Sequence, residues 1–166
     1  MRLEFEFFDR ECTEVAEDLV GKNVVYKGNK LRILETEAYC GLIDTACHAY
    51  PQKRTPRTEP LFHKAGTIYI YLCYGIHWLL NVSTNVEGVP QGVLIRSCVD
   101  ATGPGKLTKK LGICDKSANM ENVSTSKIIW FEDDGFECNV KLDTRVGIGY
   151  ADEIDQQRLW RFKGDF

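Results

Sequence analysis

An α+β fold with a largely antiparallel, curved β-sheet is predicted by three features of this sequence. Short runs rich in β-branched and aromatic residues recur along the chain, Thr67-Ile68-Tyr69-Ile70-Tyr71 among them. Hairpin-type turn signals, Gly28-Asn29 and Tyr74-Gly75, separate pairs of these runs. Segments with helical periodicity are few and short, so helices are expected to flank the sheet rather than build the fold.

Taken in order, residues 9–20 place Cys12, Val15, Ala16, Leu19 and Val20 at helical spacing, and Gly21 supplies a C-terminal cap. Residues 23–26 and 30–37 flank Gly28-Asn29 and predict a hairpin. Asp44 can N-cap a short turn through Ala46, Cys47 and His48. Residues 50–60 are rich in proline and charge, which predicts a surface loop or broken helix. Residues 67–81 form two apolar, aromatic-rich strands joined at Tyr74-Gly75, a protruding hairpin, and 92–98 is a further apolar strand. Gly103-Pro104-Gly105 turns the chain into a basic helix over 106–111. Residues 115–126 are polar and irregular, while 127–131, 137–142, 145–149 and 159–162 read as short strands. No repeat, low-complexity tract or linker divides the 166 residues, so one domain spanning 1–166 is expected.

The run Ile33-Leu34-Glu35-Thr36-Glu37-Ala38-Tyr39 holds the first chemical signal. In an extended chain side chains alternate between faces, so Ile33, Glu35, Glu37 and Tyr39 share one side and Leu34, Thr36 and Ala38 the other. A carboxylate and a ring two residues apart on one face pair a proton acceptor with a stacking surface.

Charged residues make up 27% and apolar residues 43% of the chain, the balance of a folded soluble protein rather than a disordered one. No apolar run reaches the roughly 20 residues that span a bilayer, and the N-terminal residues lack the pattern of an export signal. A cytosolic protein without membrane contact is expected. Seven cysteines, at 12, 40, 47, 73, 98, 114 and 138, include no C-x-x-C pair. They read as reduced, mostly buried thiols rather than as a zinc or iron–sulfur site.

The net charge of −3 hides an uneven distribution. Residues 1–18 hold seven acids and two bases, and 115–155 hold ten acids and four bases. By contrast, 47–64 carry Lys53, Arg54, Arg57 and Lys64 against Glu59 alone, and 96–110 carry Arg96, Lys106, Lys109 and Lys110 against Asp100 alone. Those two segments can form a basic face for phosphates on an otherwise acidic molecule, or they can be scattered solvated charge.

Six motifs occur in order: E-T-E-A-Y at 35–39, A-C-H-A-Y at 46–50, R-T-P-R at 54–57, Y-x-Y-x-x-Y-G at 69–75, G-P-G-K-L at 103–107 and R-V-G-I-G-Y at 145–150. Together they resemble the alkyladenine (3-methyladenine) DNA glycosylases of the mammalian type, across nearly the whole chain. The resemblance implies a monofunctional glycosylase of base-excision repair. Such an enzyme flips a damaged purine out of duplex DNA and hydrolyses its N-glycosidic bond, leaving an abasic site. It implies a monomer acting on double-stranded DNA, and it implies no metal and no cofactor.

Residue by residue, the resemblance implies that Glu37 holds and activates the water. Tyr39 stacks on one face of the flipped base, with Tyr71 and His48 at its other face or edge, and Asn81 crowds the exocyclic amine of normal guanine. Tyr74 fills the gap left in the helix, Ile76 touches the flanking pair, and Lys53, Arg54, Arg57 and Arg96 meet phosphates. Lys53 stands where the resembling family carries arginine, and the 110–145 segment is brief for that family. A non-catalytic nucleic-acid binder of the same fold and a nucleoside-directed hydrolase are the alternatives.

Overall fold

A single long strand bends the sheet and brings its two halves together. The computed structural model describes residues 1–166. The chain runs α1 (Phe5–Phe8), α2 (Cys12–Leu19), β1 (Asn23–Tyr26), β2 (Asn29–Cys40), a 3-10 turn (Glu59–Phe62), β3 (Ile68–Cys73), β4 (His77–Ser83), β5 (Gln91–Cys98), α3 (Pro104–Leu111), β6 (Ile129–Glu132), β7 (Asn139–Asp143), α4 (Glu153–Gln156) and β8 (Arg161–Asp165). The strands lie in the order β3-β4-β5-β2-β1-β6, with β8 joining β2 to β7. Every pairing is antiparallel. β2 pairs with β1 through residues 29–32, then with β5, while β8 lies along its other edge at Glu35–Glu37.

The period-2 alternation of β3, β4 and β5 divides the sheet into two unlike faces. Ile70, Leu80, Val82 and Ile95 point to the main core, which α2 closes with Val15 and Leu19 and α3 closes with Leu107 and Leu111. Burying each such side chain contributes about 1.5–3 kcal/mol, which is what holds two eight-residue helices that would be marginal alone. On the other face Tyr69 packs with Cys47, Ala49, Leu61 and Phe62, and Tyr39 and Tyr71 border that cluster. This second face is only partly filled. It carries the cavity described below.

The hairpins at Gly28-Asn29 and Tyr74-Gly75, the irregular 115–126 segment and the basic helix agree with the sequence reading. The short helices α1 and α4 were not expected, the last strand runs Arg161–Asp165 rather than 159–162, and three further differences have a visible cause. The first long helix starts at Cys12 rather than at residue 9, because Arg10 turns back to bond the Phe7 carbonyl and Asp18. Residues 145–149 are no strand. Gly147 takes φ +75°, and the Arg145 guanidinium is drawn into the interior, so the alternating apolar residues serve a loop whose Ile148 packs on Ala46 and Ala151. The third difference lies inside β2 and shapes the site. All seven cysteines are free thiols, and no helix is long and apolar enough to cross a membrane.

Candidate active site

The pairing of β2 with β5 slips twice. Ile33 lies opposite Cys98 and Glu35 opposite Ser97, which leaves Leu34 as an extra residue on β2. Glu35 lies opposite Ser97 and Thr36 opposite Ile95, which leaves Arg96 as an extra residue on β5. Each bulge inverts the alternation beyond it. Ile33 therefore enters the core with Ala38 instead of sharing a face with Glu35, Glu37 and Tyr39, and the simple alternation expected from the sequence is corrected there. On β5, neighbours Arg96 and Ser97 both turn to the carboxylate face. The Ser97 hydroxyl donates to Glu35 Oε2 at 2.9 Å, and Arg96 Nε stands 3.8 Å from Glu37 Oε2.

Glu35 and Glu37 are both buried, in different settings. Glu35 is bound by Ser97, Arg161 and Lys163, an arrangement that ties β2 to β5 and β8. Glu37 is fully buried, at 0% exposure, yet borders the cavity. Its Oε1 accepts the Tyr39 hydroxyl proton at 2.9 Å and its Oε2 accepts the Val146 backbone N–H at 2.8 Å. Burial raises the Glu37 pKa above the ordinary carboxylate value, while the Val146 amide, the Arg96 charge and the Tyr39 hydroxyl oppose the rise. Two lone pairs of the carboxylate stay free for a further donor such as water.

A cavity of about 570 Å³ opens over this carboxylate, within the range of small-ligand sites. Tyr39, His48, Tyr71 and Asn81 line it with Glu37 and Arg96, so residues from five separate segments converge. Tyr39 has the Arg145 guanidinium 4.8 Å from its ring centroid, which backs the ring with a cation. Tyr71 meets the His48 ring edge-on at 4.8 Å and Tyr69 at 5.1 Å. His48 Nδ1 shares a hydrogen bond with the Tyr69 hydroxyl at 3.1 Å. Burial and the nearby Arg57 charge push the His48 pKa down to about 4, so the imidazole is neutral at physiological pH. Asn81 is fixed by donating its Nδ2 proton to the Tyr69 carbonyl.

The hairpin between β3 and β4 ends in a tight turn with both central residues in the left-handed region, Tyr74 at φ +51° and Gly75 at φ +67°. A turn of that kind matches the strand twist but favours Gly, Asn or Asp, so a bulky ring at its first position is strained. That ring is 91% exposed, and Ile76 beside it is 71% exposed. Strain combined with the exposure of two large apolar groups is a cost to the free protein.

The four cations expected to meet phosphates occupy three settings. Lys53 and Arg57 are exposed, and the Arg57 guanidinium stands 5.2 Å from the Tyr71 ring at the cavity edge. Arg54 is exposed but engaged by Glu59 through two hydrogen bonds of 2.9 and 2.6 Å. Arg96 lies in the cavity wall beside Glu37 instead of on the outer surface.

Three features of the site were not singled out in the sequence. Tyr69 alternates with Tyr71 and orients His48. The Val146 amide reaches Glu37 from more than 100 residues away along the chain. Asp44, read only as a helix cap, also forms a wholly buried bidentate pair with Arg145. Asp44 accepts the Cys40 and Ala46 amides as well, and Arg145 donates to the Ala38 and Asp155 carbonyls, so the pair fastens β2, the turn carrying His48 and the loop carrying Val146. The order of the motifs shows neither of the last two, since both arise from contacts between distant segments.

A family model described as methylpurine-DNA glycosylase (MPG) matches residues 6–165. A protein of Natranaerobius thermophilus, provisionally named 3-methyladenine DNA glycosylase, is 38% identical over 98% of this chain and 94% of its own length. Proteins with the same provisional name from Borrelia garinii subsp. bavariensis, 38% identical over 94% of this chain and 92% of their counterpart, and from Clostridium tetani, 37% identical over 98% and 95%, are similar to it along the same extent.

Proposed function

The chain belongs to the methylpurine-DNA glycosylase family, hydrolases of N-glycosyl bonds that serve the base-excision repair of alkylated purines, and we propose that Glu37 is the base of that reaction. In this reading the damaged purine leaves the duplex and enters the cavity between Tyr39 and the Tyr71–His48 pair. Two or three such stacking contacts, worth roughly 1–3 kcal/mol each, offset an extrusion cost of a few kcal/mol. Glu37 accepts the proton of a water aimed at the anomeric carbon, and its negative charge stabilises the cationic sugar that forms as the bond breaks. Arg96 favours the ionised form of Glu37 across 3.8 Å. No lysine lines the cavity, which supports water rather than an amine as the nucleophile.

The observation that carries this reading is the convergence of a buried, doubly hydrogen-bonded glutamate with three rings at one cavity beneath an exposed hairpin tip. The test is incubation with duplexes holding one hypoxanthine or one alkylated purine, scored for strand breaks after alkali. Breaks at the lesion are expected. Retarded DNA without breaks would point to a binding module, and turnover of a free nucleoside in place of the duplex would point to a nucleoside hydrolase.

Tyr74 is assigned to the gap left in the base stack and Ile76 to the neighbouring pair. Tyr74→Ala should therefore lower excision steeply from duplex DNA, and much less from a lesion already unpaired, in parallel single-turnover assays. Equal losses on both substrates would make Tyr74 a packing residue. Asn81 is assigned to the exclusion of normal guanine. In the Asn81→Ser variant, excision of guanine should rise from undetectable to measurable while excision of alkylated purines falls a few-fold. A product assay by chromatography of released bases reads both.

A further inference from the structure

Strand β8 parts from β2 at its first residue, and a side chain completes the ladder there. The Ala38 amide still donates to the Trp160 carbonyl at 2.9 Å, as a continuing antiparallel pair requires. The Ala38 carbonyl, however, accepts Arg145 Nη1 at 3.0 Å in the place of a β8 amide. The Arg145 guanidinium therefore lies at the edge of the sheet, close to its plane. Alternation puts a different ring on each side of it. Phe162 lies opposite Thr36, so Trp160 falls on the same face as Ala38, and both pack on the main core. Tyr39 belongs to the other face, with the cavity.

The guanidinium carbon of Arg145 stands 4.8 Å from the Tyr39 ring centroid and 5.0 Å from that of Trp160, and the Arg158 guanidinium lies 4.8 Å from Trp160 in turn. Arg145 donates to both Asp44 oxygens and to the Ala38 and Asp155 carbonyls, and only its Nε–H lacks an acceptor. A buried donor without a partner is costly, so the group is placed for its carboxylate and its rings rather than for complete hydrogen bonding. The outer layer is tied back as well. Arg158 Nε donates to Asp155 Oδ1 at 2.9 Å, and Asp155 Oδ2 accepts the Thr45 amide and hydroxyl. The layers Tyr39, Arg145, Trp160 and Arg158 thus run from the cavity wall to the surface.

In a step that rests on the glycosylase reading, we propose that Trp160 is a positioning residue of the active site: by closing the far side of Arg145 it holds the Tyr39 ring in place for the flipped purine and for Glu37. Tyr39 has two tasks there. Its face is the stacking wall, and its hydroxyl donates to Glu37 Oε1 at 2.9 Å, which favours the ionised carboxyl that accepts a proton from water. A ring free to tilt would fail at both, although neither Trp160 nor Arg158 lines the cavity. The plainer role for Trp160, filler at the rim of the core, leaves Tyr39 and the Glu37 carboxyl untouched.

The test follows the Glu37 carboxyl by NMR titration of the free protein, beside single-turnover excision from a hypoxanthine-containing duplex well below each protein's Tm. Trp160→Leu keeps an apolar side chain at the core but removes the ring, and Trp160→Phe keeps a ring over the guanidinium. In Trp160→Leu the carboxyl should titrate at higher pH than in the parent, in the same direction as in Tyr39→Phe, which lacks the hydroxyl outright. Excision should fall roughly 10- to 100-fold. Trp160→Phe should stay near the parent in both. The other groups that face Glu37 are the same in all these proteins: Arg96 from β5, Arg145 and the Val146 amide from the loop after β7, and Arg161 from β8, itself held by Glu35 and Asp143. An unmoved titration in folded Trp160→Leu would overturn the proposal whatever its rate. Trp160→Met, also without a ring, carries the same test if the leucine variant does not fold. A parent that cuts no lesion would remove the glycosylase reading, while the titration, which uses no DNA, would still decide the role of Trp160.

Discussion

Glu37→Gln should bind lesion-containing duplex like the parent and excise its base roughly 100- to 10,000-fold more slowly, the usual worth of general-base assistance. The change keeps the shape of the side chain but removes the proton acceptor. It also upsets one hydrogen bond, because Glu37 accepts two donors on two different oxygens, Tyr39 on Oε1 and Val146 on Oε2. An amide has one acceptor oxygen, so one of those donors faces an NH₂ group at a cost of about 1–3 kcal/mol. Binding and single-turnover excision must therefore be measured on one folded preparation. Excision within a few-fold of the parent, with binding unchanged, would sink the assignment.

The pH profile supplies a second check on the same residue. A protonated carboxyl cannot take a proton from water, so the rate falls as pH drops through the Glu37 pKa. Burial raises that pKa, so the fall should begin at a higher pH than for an ordinary glutamate. His48, with its pKa held near 4 by burial and the Arg57 charge, stays neutral through the same window and adds no limb of its own above about pH 5. For a cationic alkylpurine, which leaves without protonation, one descending acid limb is expected in the wild type. The Glu37→Gln variant should lack it.

Asp44→Asn should be the most damaging change away from the cavity. Arg145 is left as a buried cation with no carboxylate, and breaking such a pair costs about 3–5 kcal/mol. For a chain of this length that lowers Tm by about 6–20 °C. The loss should not be confined to stability. Asp44 and Arg145 fasten the turn that carries His48 and the loop that carries the Val146 amide, and Arg145 backs the Tyr39 ring. Excision measured well below the new Tm should therefore also fall, by tenfold or more, as the donors around Glu37 lose their positions. Replacing both partners, as Asp44→Leu/Arg145→Met, should recover part of the Tm and none of the activity. Thermal melts and single-turnover rates on the three proteins separate the two effects. A parental Tm in Asp44→Asn would show that the pair is not what fastens these segments.

Much of the fold was legible because its signals are local. Gly75 beside Tyr74 specifies a turn from backbone sterics alone, and the alternation Ile68-Tyr69-Ile70-Tyr71 assigns two residues to the core and two to the cavity face whatever else the chain does. Leu107 and Leu111 announce the buried side of α3 by their spacing. Glu37, Tyr39, His48, Tyr71 and Tyr74 were named from motifs in order and Asn81 from the family resemblance those motifs carry, and the fold brings the cavity residues among them to one place.

What the sequence alone determined, then, was composition, periodicity and turn chemistry, which depend on residues a few positions apart. Hence the antiparallel α+β architecture, the exposed hairpin tip and the family motifs follow from it directly. Tertiary structure decided the rest. Register is a property of two strands, so neither β2 nor β5 by itself reveals the bulges that send Ile33 to the core and Arg96 to the cavity. Ion pairing is likewise a property of two segments. Only the folded chain occupies Arg54 with Glu59 and buries Asp44 against Arg145. The same alternation that made strands of residues 68–73 failed at 145–149, because a buried guanidinium bound to Asp44 outweighs the weak strand preference of five residues.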